Sequence, residues 1–243
     1  MGASGRDLVN RLPAREELLA LSRDEVLDLI KELNRVRADI NSEFVLSEGV
    51  KDKDHILNEW VAQSQIFIVD CIPYILEKLR DNHRRQDSAT LLDVGSATGA
   101  GTALLKSLLS SQMLWCPVDV KGIDIFSHRV ICAKNNFVDF EYIIGDIFNH
   151  KDRYDYVLCS HVLEHVPDAE RFIRALVQLA KRSVFVYTPY NEVDRIPAHR
   201  NTITEETYKG FSVESTNIIK SSGWRWGKKT EDYCILTILN GEG

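Results

Sequence analysis

Leu91-Leu92-Asp93-Val94-Gly95-Ser96-Ala97-Thr98-Gly99-Ala100-Gly101 reads as a β-strand that runs into a glycine-rich turn and then into a helix. Glycine reaches positive φ without a steric penalty and lets a ligand come close to the backbone. In open parallel sheets, ligands sit beyond the carboxyl ends of the strands, where the strand order reverses. A turn of this composition after a first buried strand marks that place.

Downstream of the turn, apolar runs alternate with amphipathic segments, which is the pattern of an α/β domain with a largely parallel sheet. Strands are predicted at Thr90–Val94, Val120–Ile125, Phe140–Ile144, Tyr154–Ser160, Ser183–Thr188 and Tyr233–Leu239. Helices are predicted over 101–110, after the second strand through Ala133, and from an Asp168 cap to about Lys181. A further helix is expected from Thr204, whose hydroxyl can cap it, with Glu205 and Glu206 in its first turn. Ser110–Asp119 reads as a loop insertion before the second strand.

Residues 1–88 contain three glycines and read as helical. Ser22-Arg23-Asp24-Glu25 is a capping box, and Val26, Leu29, Ile30, Leu33, Val36 and Ile40 follow at helical spacing. A second apolar segment runs from His55 to Leu79, with Trp60, Phe67 and Tyr74 on one stripe suited to core packing. Pro73 lies inside it and cannot donate to the carbonyl four residues back, so a kink or break is expected there. Asp81–Ser88 reads as a linker. The expected organisation is a helical cap or dimerisation region over 1–88, followed by the main domain over 89–243.

The 243 residues suffice for one domain with appendages and are few for two. Hydrophobic residues make up 44% and charged residues 27%, which excludes low-complexity disorder. No stretch reaches the roughly 20 apolar residues of a membrane span. Met1–Asn10 carries no basic segment followed by an apolar one, so no secretory leader is expected. The five cysteines form no C-x-x-C pair, so neither a disulfide framework nor a metal site is expected, and a cytoplasmic, reducing location is. A net charge of −6 weighs against a nucleic-acid partner.

Two further acids accompany the turn. Gly122-Ile123-Asp124-Ile125 ends the second strand in a carboxylate that can accept from both hydroxyls of a ribose. Gly145-Asp146-Ile147 places another acid just after the third strand, in reach of an adenine amino group. A dehydrogenase using NAD(P) shares the turn and the second-strand acid. Its pyrophosphate, however, would be repelled by Asp93 beside the turn, whereas the amino group of a methionine would be attracted.

In this order the three pieces resemble the class I S-adenosylmethionine-dependent methyltransferases over about residues 89–240. The resemblance implies a Rossmann-like, doubly wound, mostly parallel seven-stranded sheet with an antiparallel last strand. It implies S-adenosylmethionine as cofactor, with Asp93, Gly95, Ser96, Ala97 and Gly99 around its methionine end. Asp124 and Ile125 would hold the ribose, and Asp146 and Ile147 the adenine. Two departures stand out: Ala97 replaces the central glycine of the pattern, and the interval from Gly99 to Asp124 is slightly long.

Ser160-His161-Val162-Leu163-Glu164-His165-Val166 resembles the fourth-strand segment of small-molecule methyltransferases of the ubiquinone-biosynthesis type. Ser160 and His161 would then flank the sulfonium. The same residues match H-x-x-E-H, the inverted zinc-peptidase motif. That reading needs a long helix, whereas His161 ends a strand and Pro167 follows His165. His165 is read as a structural hydrogen bond near the loop or as a catalytic group. The loop through Arg195, Pro197, Ala198, His199 and Arg200 resembles the acceptor loop of the same enzymes. His161 and His199 are the candidate general bases, since an imidazole pKa near 6.5 suits proton removal at neutral pH.

These readings point to O-methylation of a small metabolite or of a sugar or glycan hydroxyl. Methylation of RNA or protein, or cofactor binding without turnover, are the alternatives. Trp224 and Trp226 are expected to pack between the last helix and the sheet, or to offer a platform for a ring. A homodimer through the N-terminal helices is a possible assembly.

Overall fold

The computed structural model describes residues 53–85, 88–110, 117–193, 195, 197–221 and 233–243. The helix expected from Ser22 and the Trp224–Trp226 pair lie outside the described residues. The chain divides into two compact units, residues 1–59 and 60–243.

Helix α1 (Lys53–Arg85) precedes β1 (Ala89–Val94) and α2 (Ala100–Leu109). There follow β2 (Val118–Asp124), α3 (Ser127–Asn136), β3 (Glu141–Ile144), β4 (Tyr154–Ser160), α4 (Ala169–Leu179) and β5 (Ala180–Pro189). A single 3-10 turn (Glu205–Tyr208) leads to β6 (Val213–Lys220) and β7 (Tyr233–Asn240). The seven strands lie in the order β3-β2-β1-β4-β5-β7-β6. All neighbours pair in parallel except β7, which runs antiparallel to both β5 and β6. The order reverses between β1 and β4, so the crevice of the sheet opens beside the glycine turn.

Successive residues of a strand face opposite sides of a sheet, and both faces here are covered. Leu91, Tyr156, Leu158, Phe185 and Tyr187 join Phe67, Ile68, Cys71, Ile75 and Leu79 of α1 and Leu105 and Leu109 of α2 in one core. Their neighbours Leu92, Val157, Cys159, Val184 and Val186 join Phe172, Ile173, Leu176 and Leu179 of α4 in the other. Asp168 caps α4 as expected, accepting from Arg171 N at 2.9 Å.

Four expectations are corrected. The helix continues through Pro73 and through the expected linker to Arg85. Pro73 is on the exposed face, while Cys71, Ile75 and Leu79 on either side are buried, so packing holds the helix across the missing hydrogen bond. The helix at Thr204 stops after Tyr208, and Lys209 is already extended. The second strand begins at Val118, inside the expected insertion. Finally, β6 is an edge strand of alternating exposed and half-buried residues, Val213-Glu214-Ser215-Thr216-Asn217-Ile218-Ile219-Lys220, with too few apolar residues to stand out as a sequence pattern.

Candidate active site

The turn after β1 is held by its backbone. Gly95 N and Ser96 N donate to Ile123 O at 2.8 and 3.1 Å, and Gly99 N donates to Ser96 O at 2.9 Å. Gly95 and Gly99 have φ of 79° and 86°. A Cβ on Gly95 would stand 2.2 Å from the Val162 Cγ2 methyl, so the turn and the segment after β4 are in direct contact. Ala97 also adopts positive φ, 46°, at the position where the family pattern has glycine. Among the described residues, the other non-glycine cases are His161 at 52° and Asn191 at 49°. All three follow carboxyl ends of neighbouring strands β1, β4 and β5, and backbone strain of this kind gathers at functional sites.

The acids take their expected places. Asp124 ends β2, and its Oδ2 accepts from Ala97 N at 3.0 Å while Oδ1 accepts from Phe126 N at 2.8 Å. Ile125 beside it is exposed. Asp146 follows β3 and accepts from Phe148 N at 3.0 Å, next to the buried Ile147. Asp93 is buried and accepts from Thr102 Oγ1. Burial pushes its carboxyl up to about 6, against the lowering effect of the Thr102 hydrogen bond and with a smaller contribution from Asp124. A cation placed beside Asp93 would restore its charge at low cost.

Two buried hydroxyls at this edge, Ser96 Oγ and Ser160 Oγ, have no hydrogen-bond partner. Ser160 ends β4, adjacent to the Val94–Cys159 pairing of β1 with β4. Orphaned buried polar atoms are rare in folded proteins and fit a polar ligand lying over them.

A second cluster continues from Ser160. Residues 161–167 are turns rather than helix, so the geometry of an inverted zinc peptidase is absent there. His161 is packed flat on Phe67, with ring centroids 3.5 Å apart, and edge-on to Tyr187. Its Nδ1 lies 3.3 Å from Glu164 Oε1, and its Nε2 is 3.7 Å from Cys234 Sγ. Burial lowers the His161 pKa, and Glu164 opposes that shift. His199 is buried and donates through Nδ1 to Glu192 Oε2. Such a carboxylate fixes the orientation and tautomer of the ring. His165 Nδ1 meets Ala198 O at 3.1 Å, a contact that ties it to the loop after β5.

The structure thus brings His161 and His199 to one cluster and adds Glu164, His165 and Glu192. The H-x-x-E-H spacing signalled Glu164 and His165. Nothing in the spacing of Glu192 and His199 announced their pairing, which depends on the loop after β5.

A doubly wound sheet with a glycine turn after β1 and acids at the ends of β1 and β2 and just after β3 defines a class: an α/β domain that holds a nucleoside cofactor along one edge. Comparison with known proteins narrows it. A family described as a methyltransferase domain matches residues 66–215. The ubiquinone biosynthesis O-methyltransferase of Rickettsia prowazekii (strain Madrid E) is 32% identical over 179 residues, covering 70% of this chain and 66% of that protein. The enzyme of the same name from Rickettsia canadensis (strain McKiel) is 30% identical over 135 residues, 51% of this chain and 54% of that one. The chain therefore spans slightly less than two thirds, or about half, of these relatives. Magnesium protoporphyrin IX methyltransferase from Synechocystis PCC 6803, solved with S-adenosylmethionine, shares the fold at a TM-score of 0.54 and 16% identity, over 86% of this chain and 96% of that one. With S-adenosylhomocysteine bound, the same protein gives a TM-score of 0.55. The chain belongs to the methyltransferase-domain family.

Proposed function

We propose that this chain transfers a methyl group from S-adenosylmethionine to a hydroxyl oxygen of a small metabolite or sugar. The observation that carries this is the contact between the two halves of the site. The cofactor turn at Gly95 touches Val162, in the middle of the histidine and glutamate cluster. A methyl donor on one side and a proton acceptor on the other then face a common point. The name of the Rickettsia relatives supports a small-molecule hydroxyl as acceptor.

Bound, the cofactor supplies a methyl group already activated by its sulfonium charge. The protein has to hold and orient. Asp93, Gly95, Ser96, Ala97 and Gly99 bind the methionine end, with Asp93 facing its amino group. Asp124 and Ile125 hold the ribose, Asp146 and Ile147 the adenine, and Ser160 lies beside the sulfonium. The acceptor oxygen must sit about 3 Å from the methyl carbon, in line with the C–S bond. His199, oriented by Glu192, is the member of the cluster best arranged to take the hydroxyl proton, and His161 lines the same edge.

The test is transfer of labelled methyl to a panel of hydroxylated metabolites, sugars, RNA and protein. Labelled small-molecule ethers are expected. Transfer to RNA or protein alone, or tight cofactor binding with no transfer to any acceptor, overturns the reading.

A further inference from the structure

We propose that Tyr142 is a positioning residue for the cofactor turn: its phenol holds the Gly99 carbonyl and thereby shapes the pocket for the methionine end of S-adenosylmethionine. The proposal rests on the reading of this turn as the cofactor site, and it adds a residue of β3 to that site.

Three strands place the phenol. Asp93 of β1 pairs with Gly122 of β2, and Gly122 pairs with Tyr142 of β3. Residues paired in this way form one row across the sheet and turn their side chains to the same face. Gly122 leaves the middle of that row empty of any side chain of its own. A Cβ there would stand 2.8 Å from Tyr142 Cδ1 and 2.8 Å from Ser96 Cβ. The ring of Tyr142 therefore crosses over β2 and reaches the turn that follows β1.

At its far end the ring meets Gly99. A Cβ on Gly99 would lie 2.7 Å from both Cζ and Oη of Tyr142, and 2.8 Å from Ala133 Cβ of α3. Tyr142 is buried and packs with Val130 and Ala133 of α3. Its Oη donates to Gly99 O at 2.9 Å. Burial, and after it the Asp93 carboxylate, push the phenol above its usual range, so it keeps the proton that it donates.

Gly99 is the point where the turn becomes α2. It caps the helix in the left-handed region with no side-chain hydrogen bond, and the first helical turn carries no acid. Its carbonyl also accepts from Ala103 N at 2.9 Å. Within that first turn, Thr102 Oγ1 donates to Asp93. The phenol fixes the peptide from which α2 starts, and α2 carries the hydroxyl that orients Asp93. Asp124 and Asp146, at the nucleoside end, accept from Phe126 N and Phe148 N in their own loops. The influence of Tyr142 falls on the methionine end.

Removing the phenol oxygen leaves Gly99 O its partner in the helix, so no buried group is orphaned and the fold is expected to hold. The experiment is calorimetric titration of wild type and Tyr142→Phe with three ligands: S-adenosylmethionine, S-adenosylhomocysteine and methylthioadenosine. The last keeps the nucleoside and lacks the amino and carboxyl groups of the methionine end. Tyr142→Phe should weaken the first two at least about fivefold, the worth of one hydrogen bond, and leave methylthioadenosine within about twofold of the wild type. Tyr142→Met fills the space with a flexible side chain, also lacks the donor, and should show the same split. A merely loosened core would weaken all three ligands together. Parallel loss of all three, or binding of S-adenosylmethionine by the variants as tight as by the wild type, overturns the proposal. Failure of the cofactor reading shows separately, as a wild type that binds none of the three.

Discussion

The ring of Phe67 lies flat on the imidazole of His161, with centroids 3.5 Å apart and planes 8° from parallel. One residue comes from the middle of α1 and the other follows β4, so the helix sets the face of a site residue. Phe67 is also part of the core under the sheet. Phe67→Ala should cost about 3 kcal/mol of stability, the usual figure for removing a buried ring. Phe67→Leu keeps most of the volume and should cost about 1 kcal/mol, yet it removes the flat surface. Urea melts and turnover of the two variants separate packing from positioning. If Phe67→Leu turns over like the wild type, the stack does not position His161.

Asp124 is the acid that the proposed function assigns to the cofactor ribose. Its two oxygens accept from Ala97 N and Phe126 N, which aims the carboxylate along the edge of the sheet. Asp124→Ala should weaken S-adenosylmethionine at least about tenfold, equal to the loss of one charged hydrogen bond. Calorimetric titration with S-adenosylmethionine and with NADH checks this. Wild-type affinity in the variant, or NADH binding by the wild type, would falsify the assignment.

Gly95 combines a φ of 79° with a side chain of another segment where its own Cβ would stand. Gly95→Ala must therefore displace Val162 as well as strain the backbone. For Gly145→Ala the one tight contact is the Ile123 Cδ1 methyl at 3.3 Å, the end of a flexible side chain, and the other neighbours are at 3.8 Å. The first substitution should lower stability by about 2 kcal/mol or more and abolish cofactor binding, and the second should cost under about 1 kcal/mol. Thermal melts of both variants, with and without cofactor, show whether the turn and the segment after β4 are as closely packed as the geometry indicates.

The sheet was largely legible because its central strands are buried on both faces. Leu91, Leu92 and Val94, or Val184, Phe185 and Val186, make apolar runs that stand out in any surroundings. β6 did not, because an edge strand has one neighbour and needs few apolar residues. Pro73 misled because local propensity predicts a break, whereas the burial of Cys71 and Ile75 lies in tertiary contacts that the local pattern does not weigh. The positions of Asp93, Asp124 and Asp146 could be read because they lie at or just after strand ends. The Glu192–His199 pair could not, since it arises from a loop that turns back on itself, closed by the Tyr190–Ile203 bridge and by Asn191 N donating to Ile203 O at 2.8 Å.

Asp93 should make stability depend on pH in a direction opposite to that of a salt-bridged carboxylate. Its folded pKa is raised from 3.8 to about 6 by burial. Below about pH 4 it is protonated in both the folded and the unfolded chain. Between that point and about 6 the unfolded chain ionises first and binds fewer protons, so stability falls as pH rises. Above about pH 6 the loss is complete, at roughly 3 kcal/mol or less. Asp93→Asn removes this titration. In the absence of cofactor the variant should melt higher than the wild type at pH 7.5, and the gap should close toward pH 4.5. The cofactor reverses the balance, because the amino group of its methionine end stabilises the charged carboxylate and lowers its pKa again. Binding of S-adenosylmethionine by the wild type near pH 6 should therefore release a proton, seen as a binding enthalpy that changes with the ionisation heat of the buffer. Asp93→Asn should bind more weakly and release none from this site. Melting curves of wild type and variant that stay parallel from pH 4.5 to 7.5, with a buffer-independent binding enthalpy in both, would place Asp93 outside the amino-group pocket.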